Sequence, residues 1–561
     1  TNAHYRITAL LADLFRLDVA DAMILPYLLQ GRLGPPYAAP ETGLDERRLA
    51  QAVAKAAGVG LEEIWRLYQQ QGDLGTVAEA VMPVLESLLS VQDVFDRFLE
   101  IARVAGPGAY ERKITLFENL LVKVGNLEAR YLVRIVAGRL RLGIGDATIV
   151  DALSIARVGD TSLGPAIERA YSFCSDLGLV AHTLLAQGPA ALAEIHPVPG
   201  RPVLPALAAR LPSATTIVAK LGRVIVEPKY DGVRLQAHKA GERVWLFTRR
   251  LEDVSHAFPE VVAAIQGQLR AREAILDGEV VGYDPRTGQL LPFQQTARRR
   301  RKHGVAEVAG QFPVRYFLFD VLSLDGVDLT SRPQAERSRQ LRQVIVEEPS
   351  GVIALTPQLE TDQADVLQRF FEEMLRCGLE GVVVKRPDAH YHAGARQYNW
   401  VKLKPGSEAA VADTFDLVIV GYERGRGKRA AFGIGSLLCA VYDPDHDRYR
   451  TVSRVGSGLP DAEWLTLHQL LDEASTATKP KQVDAAFAPD VWVTPRYLVE
   501  VIAGGIMRSP LHTCGKEGRE PGYALRFPRI RRLRFDRRPE DATTEAEVVG
   551  LYHREETVPR A

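Results

Sequence analysis

The stretch Glu227-Pro228-Lys229-Tyr230-Asp231-Gly232-Val233-Arg234 holds the residues best suited to chemistry in this chain. An apolar run leads into a lysine, an Asp-Gly turn signal follows, and an alternating run then carries Arg234. That layout sets the Lys229 amine at a strand end, facing a pocket. A protonated lysine is a poor nucleophile, but burial and neighbouring cations can release the neutral amine. Attack on a phosphorus centre would further need cations around the phosphoryl oxygens and a hard metal held by carboxylates. Groups of those kinds recur at downstream strand ends: Arg249, Glu279, Glu380, Lys385, Arg396, Lys402 and Lys404. Taken singly, each reads as an ordinary charged turn or edge-strand residue. Their order and spacing together carry the chemical reading.

Three regions would have to position these groups. Residues 1–198 read as helical: Ser90-Val91-Gln92-Asp93 is a capping box ahead of apolar residues at helical spacing, and Leu61 to Tyr68, Glu111 to Val124 and Leu127 to Leu142 repeat the pattern. The prolines 197, 199, 202, 205 and 212 then suggest a linker. Residues 199–408 change period. Val224 to Val226, Val233 to Ala237, Val244 to Phe247, Tyr316 to Leu322, Gly381 to Val384 and Trp400 to Leu403 are strand-like, with a helix over Gln363 to Cys377. A mixed α/β domain is expected there. Residues 409–561 suggest a small β-barrel from Leu417 to Tyr422, Ser436 to Tyr442, Tyr449 to Val455 and Val491 to Ile502, closed by an acidic helix over Glu540 to Tyr552.

Bulk properties bound the answer less tightly. A chain of 561 residues suits several domains, and 70 basic against 70 acidic residues leaves nucleic-acid binding to local clusters. Cys174, Cys377, Cys439 and Cys514 lie far apart, which disfavours a zinc module or a disulfide framework and favours a reducing cytoplasm. No apolar run approaches the ~20 residues of a membrane span, and the start carries no export layout. The first residue is Thr1, so a trimmed or processed start is expected.

The chemical residues resemble the nucleotidyltransferase motifs shared by ATP-dependent DNA ligases, RNA ligases and mRNA capping enzymes. Lys229 to Arg234 is followed in order by Phe247-Thr248-Arg249-Arg250, Asp277-Gly278-Glu279, Tyr316-Phe317-Leu318-Phe319-Asp320, Glu380 to Lys385 and Trp400 to Lys404. The resemblance implies that Lys229 becomes adenylated, that Glu227 meets the adenine amino group, and that Phe319 stacks on the base, with Phe317 on the same strand face as the competing choice. It further implies that Arg234 and Arg249 bind ribose, phosphate or the DNA 5′-phosphate, and that Glu279 and Glu380 reach the ribose or hold Mg²⁺, for which Mn²⁺ can substitute. Arg396, Lys402 and Lys404 should neutralise the α-phosphate. Asp231 is read either as orienting or deprotonating the lysine or as purely turn-forming.

The flanks are similar to archaeal and eukaryotic-type replicative DNA ligases. Tyr27 to Leu33 and Gly138 to Leu153 match their helical DNA-binding domain, and Thr451 to Gly458 and Arg526 to Arg537 match their OB-fold domain. The expected architecture is an all-α DNA-binding domain, an adenylation domain and an OB-fold domain, with Pro405 to Asp416 as hinge. Arg537 stands where the last motif usually has lysine, so a planar fork replaces a point charge. Arg298 to His303 resembles a basic patch that contacts the DNA backbone. The implied reaction is ATP-dependent sealing of nicks in duplex DNA by a monomer. Gln363 to Phe371 only faintly suggests a sliding-clamp peptide, and Phe370 and Phe371 read more simply as core. The alternatives are an RNA ligase or capping-type enzyme, or a non-catalytic DNA-end-binding scaffold.

Overall fold

The computed structural model describes all residues except 1, 18, 139, 141, 143, 292–294, 297–298, 300–311, 349–350, 405–413, 426–428, 430–431, 519 and 558–561. Two compact units result, one comprising Thr1–Met374 with Leu379–Leu403, the other Leu375–Gly378 with Lys404–Ala561.

The N-terminal part of the first unit is helical, as its period demands. The helix Val91–Arg103 begins on the expected capping box: the Ser90 hydroxyl accepts from the Asp93 amide at 3.1 Å, and the Asp93 carboxylate accepts from the Ser90 amide at 2.9 Å. Its Phe98 and Ile101 are buried against Phe117 and Leu120 of the helix Ala109–Leu121. The helix expected over Leu127 to Leu142 stops at Val136, because Gly138 turns the chain left-handed at φ 65°. The proline-rich stretch is no loose tether. Ser175 Oγ donates to the Pro202 carbonyl at 2.6 Å, Leu204 N donates to Ser172 O, and Val203 exchanges hydrogen bonds with the Gln236 amide. Phe173, Val203, Ala206, Ile275, Leu322, Tyr391 and Trp400 form one buried cluster, so the helical and mixed regions share apolar packing.

The mixed region is built on strands β1 (Leu207–Arg210), β2 (Val224–Pro228), β3 (Val233–Ala240), β4 (Arg243–Thr248), β5 (Glu273–Gly282), β6 (Val314–Leu324), β7 (Val327–Asp328), β8 (Ile353–Leu355), β9 (Leu359–Thr361), β10 (Val382–Lys385) and β11 (Arg396–Leu403). One sheet runs β1-β11-β10-β2-β9, and the other runs β4-β3-β5-β6-β7 with β8 beside β6. β2 is buried along its whole length, which is why Val224-Ile225-Val226 reads as an uninterrupted apolar run. The helix Pro259–Gln268 covers the second sheet, seating Val261 and Ile265 against Leu235, Leu276, Tyr316 and Leu318. Each such buried aliphatic side chain contributes about 1.5–3 kcal/mol. The expected helix over Gln363 to Cys377 spans Ala364–Arg376 and buries Leu367, Phe371 and Met374, so the aromatic pair supplies a core residue.

The second unit is strand-rich. Thr414–Arg424 pairs with Ile434–Asp443 on one edge and with Leu498–Ile502 on the other; Arg448–Val455 and Arg529–Arg534 extend those pairs. Ile530 N donates to Ser457 O at 2.8 Å, bringing the last strand back to the third. This is the closed five-stranded order of an OB-fold. The helix Asp461–Glu473, which the apolar pattern did not signal, buries Trp464, Leu467 and Leu471 in the barrel core. The run Val491 to Ile502 divides into Val491–Val493 and Leu498–Ile502 around Pro495, which has no amide to donate. The expected hinge lies largely outside the described residues.

Candidate active site

A cavity of about 590 Å³ opens between the two sheets of the mixed region, lined from β1, β2, β3, β4, β5, β6, β10 and β11 and from the turns after β2 and β4. Lys229 sits in the turn after β2. Its amide donates to Gly381 O at 2.9 Å, and its carbonyl accepts from Glu380 N at 3.1 Å, which ties the lysine backbone to the head of β10. Nζ lies 2.5 Å from Glu380 Oε2, with the lysine side chain 23% exposed. Glycine is obligatory around this turn. Gly381 sits at φ 128°, and a Cβ there would collide with the Leu403 carbonyl, as one on Gly232 would with the Val280 carbonyl.

Six cationic residues line the cavity (Lys229, Arg234, Arg249, Arg250, Lys385 and Lys402) against the carboxylates Glu227 and Glu279, a balance suited to a polyanion. Arg249 and Arg250 are offered by a tight turn. Thr248 Oγ1 accepts from the Arg250 amide at 3.2 Å and the Glu252 amide at 3.3 Å, and Leu251 is held left-handed at φ 66°. Arg234 lines the cavity, but its fork is taken. Nε and Nη2 donate to the Asp277 carboxylate at 3.0 and 2.7 Å, and Nη1 donates to Ala206 O at 2.7 Å. Glu279 is paired in register with Arg234 and is half-buried. Burial pushes its carboxyl up to about 7, while Lys229 and Arg234 oppose that rise.

One corner of the cavity is aromatic. Phe319 and Trp400 meet edge to face at 5.9 Å, and the Lys385 ammonium lies 4.4 Å from the Trp400 ring centre and 4.8 Å from that of Phe319. Glu227 lines the same corner and pairs with Lys385 at 2.8 Å. Phe317, the competing aromatic, is stacked on Tyr230 at 4.1 Å.

The structure thus brings Glu227, Lys229, Arg234, Arg249, Glu279, Phe319 and Lys402 to one cavity, with Glu380 against the lysine. Arg396 begins β11, its Cα in register with Leu207 of β1. Lys404 follows the end of β11 and is not among the lining residues. Arg250 and the Asp277 anchor of Arg234 received no separate role from the sequence; the doubled arginine after Thr248 was the available signal for the first. Arg299 corrects the expectation for the basic run. It is buried, pairs with Glu260 at 2.5 Å and donates to the Phe312 and Ala257 carbonyls, so it faces inward instead of toward DNA. The rest of that run lies outside the described residues. Within the C-terminal unit, Asp416 accepts from Arg534 at 3.1 Å and pairs with Arg537 at 3.2 Å.

Aromatic walls beside an acceptor, together with a set of cations around an amine, have the chemistry that suits a nucleoside triphosphate. The comparisons with known proteins agree. The family model described as ATP dependent DNA ligase domain matches residues 205–404, the model for the DNA ligase N terminus matches 1–154, and that for the ATP dependent DNA ligase C terminal region matches 430–537. A probable DNA ligase of Dictyoglomus thermophilum is 42% identical over 554 residues, 98% of this chain and 95% of that protein. A DNA ligase of Sulfolobus acidocaldarius is 39% identical, over 98% of this chain and 95% of its own length. The solved structure Pmar-Lig_Pre, 16% identical with a TM-score of 0.50, covers 87% of this chain and 99% of its own and shares the fold. This chain belongs to the ATP-dependent DNA ligase family.

Proposed function

We propose that this enzyme seals 5′-phosphate/3′-hydroxyl nicks in duplex DNA through a lysyl-AMP on Lys229. The observation that carries the reading is the Lys229 amine held in a cation-lined cavity, 2.5 Å from the Glu380 carboxylate. Nζ attacks the α-phosphorus of ATP; an N–P bond forms, the bond to pyrophosphate breaks, and the amine proton leaves, with Glu380 placed to receive it. An oxygen of the nick's 5′-phosphate then attacks the AMP phosphorus and breaks the N–P bond, giving a DNA-adenylate. The 3′-hydroxyl finally attacks the 5′-phosphorus and expels AMP. Positioning and charge stabilisation carry most of such transfers.

In this reading Phe319 and Trp400 hold the base beside Glu227, and Arg249, Arg250 and Lys402 face the phosphates, with Arg396 and Lys404 assigned to the α-phosphate. Arg234 acts mainly by shaping the wall, because Asp277 occupies its fork. Glu279 and Glu380 are the residues that would hold Mg²⁺, or Mn²⁺ in its place. A hard divalent ion takes one or two carboxylates and completes its shell with phosphate oxygens and water, which suits two carboxylates flanking an amine. When bound, it adds positive charge at the transferring phosphate. The chain is read as acting alone on DNA in the cytoplasm, and among the described residues no helix is long and apolar enough to cross a membrane.

The test is nick sealing with each nucleotide on matched DNA and RNA nicks. ATP should support sealing of DNA, and Lys229→Ala should lose both sealing and label transfer from α-labelled ATP to protein. Sealing of RNA alone, or label retained in Lys229→Ala, would refute the reading.

A further inference from the structure

Behind the aromatic corner runs a line of polar contacts that the reaction steps leave unused. The Glu227 carboxylate is 2% exposed, and donors hold both of its oxygens: the Lys385 ammonium on Oε2 at 2.8 Å and the Gln358 amide on Oε1 at 2.7 Å. The same Gln358 nitrogen donates to Ser338 Oγ at 3.1 Å, and Ser338 Oγ accepts from Gln334 Nε2 at 3.3 Å. Gln334 Oε1 accepts from Trp400 Nε1 at 3.2 Å and from Arg337 Nη2 at 2.7 Å. Arg337, fully buried, grips Asp320 at 2.8 and 2.9 Å. A continuous chain therefore links the carboxylate on one side of the corner to the indole on the other.

The orientation of Gln358 follows from its partners. Turned over, the amide would aim its carbonyl oxygen at a carboxylate. With nitrogen toward Glu227, the carboxylate meets donors alone from behind, and its remaining lone pairs are acceptors. Burial pushes the Glu227 carboxyl above its ordinary range, and Lys385 and Gln358 oppose that rise. Loss of the Gln358 donor removes one of those opposing groups and favours a protonated Glu227, which can donate.

The geometry points to Gln358 as a positioning residue for nucleobase selection: by donating to Glu227 it keeps the aromatic corner an acceptor, and so favours a 6-amino purine triphosphate over a 6-oxo one. A 6-amino purine presents a donor to that acceptor, whereas a 6-oxo purine presents a second acceptor and leaves both unsatisfied. This rests on the reading above, in which the base occupies the Phe319–Trp400 corner.

The experiment uses the full chain with ATP and inosine triphosphate, which differ in the 6-amino group and the N1 proton. Rates of lysyl-nucleotide formation give kcat/KM for each in wild type, Gln358→Glu and Gln358→Leu. The wild type should prefer ATP, and the ATP-to-ITP ratio should fall by about ten-fold or more in both variants, the scale of one charge-assisted hydrogen bond. The change should appear mainly in KM. A residue with a purely structural role would slow both nucleotides alike, so a ratio unchanged within about two-fold overturns the assignment. Should either variant fail to fold, Ser338→Ala, which removes the oxygen that anchors the Gln358 amide and also accepts from Gln334, must lower the ratio in the same direction or the assignment fails. The ratio is also read from calorimetric binding. A wild type that binds ATP without forming the adduct would overturn the reaction reading, and the binding ratio alone would then decide this one.

Discussion

Replacing Glu279 with glutamine should stabilise the nucleotide-free protein at neutral and alkaline pH while changing little in mild acid. The half-buried Glu279 carboxyl is pushed up by burial from 4.5 to about 7, with Lys229 and Arg234 opposing and Asp277 adding to the rise. Because the folded value is the higher one, the native protein binds more protons than the unfolded chain between those limits. The contribution of Glu279 to stability is therefore fully present below the unfolded value and is lost as pH rises through about 7. At about 1.4 kcal/mol per pH unit, reduced for partial exposure, the loss comes to about 2–3 kcal/mol. Glutamine has the same shape and no proton to lose, so it escapes the loss. For a folding region of about 200 residues, at roughly 2–4 °C per kcal/mol, the Tm of Glu279→Gln should exceed wild type by about 4–12 °C near pH 8 and by much less near pH 5. Differential scanning calorimetry of both proteins across that range measures the difference directly, and other titrating groups cancel. Parallel Tm curves would show that burial does not control this carboxyl.

Three further outcomes follow from the same geometry. Asp277→Ala leaves the half-buried Arg234 guanidinium without its buried carboxylate, and should cost about 3 kcal/mol in urea unfolding, the low end for a buried pair; a change below about 1 kcal/mol would mean that the pair is not structural. Thr248→Ala removes the acceptor of the Arg250 and Glu252 amides, and should raise the KM for ATP in adenylation several-fold, whereas Thr248→Ser should restore it. Gly381→Ala forces a Cβ into the Leu403 carbonyl at a φ of 128°, and should abolish lysyl-AMP formation or destabilise the sheet by about 3 kcal/mol or more, read by label transfer and calorimetry.

The order of the candidate site residues was legible because it is local. A lysine followed by Asp-Gly between two strand-like runs can hardly fold other than as a turn, and the structure has β2, the turn and β3 there. Partners from distant strands were not legible. Arg234 looks like a phosphate ligand until β5 pairs with β3 and brings Asp277 to its fork, a register that no spacing reports. Alternation along β6 puts Phe317 and Phe319 on one face and cannot choose between them; what separates them is the Tyr230 ring lying on Phe317. Gln358 sits just before β9, outside any periodic run, and reaches Glu227 only because β9 pairs with β2. Arg299 reads as surface charge within a basic run, yet Glu260 and two carbonyls draw it inward.

The proposed reaction depends on one amine, that of Lys229, carrying AMP. After incubation with ATP and Mg²⁺, proteolysis and mass spectrometry of the protein should place a single AMP on the peptide that contains Lys229, released as the nucleotide when pyrophosphate is added. AMP attached to any other residue, or none attached while nicks are still sealed, would refute the lysyl-AMP reaction at Lys229.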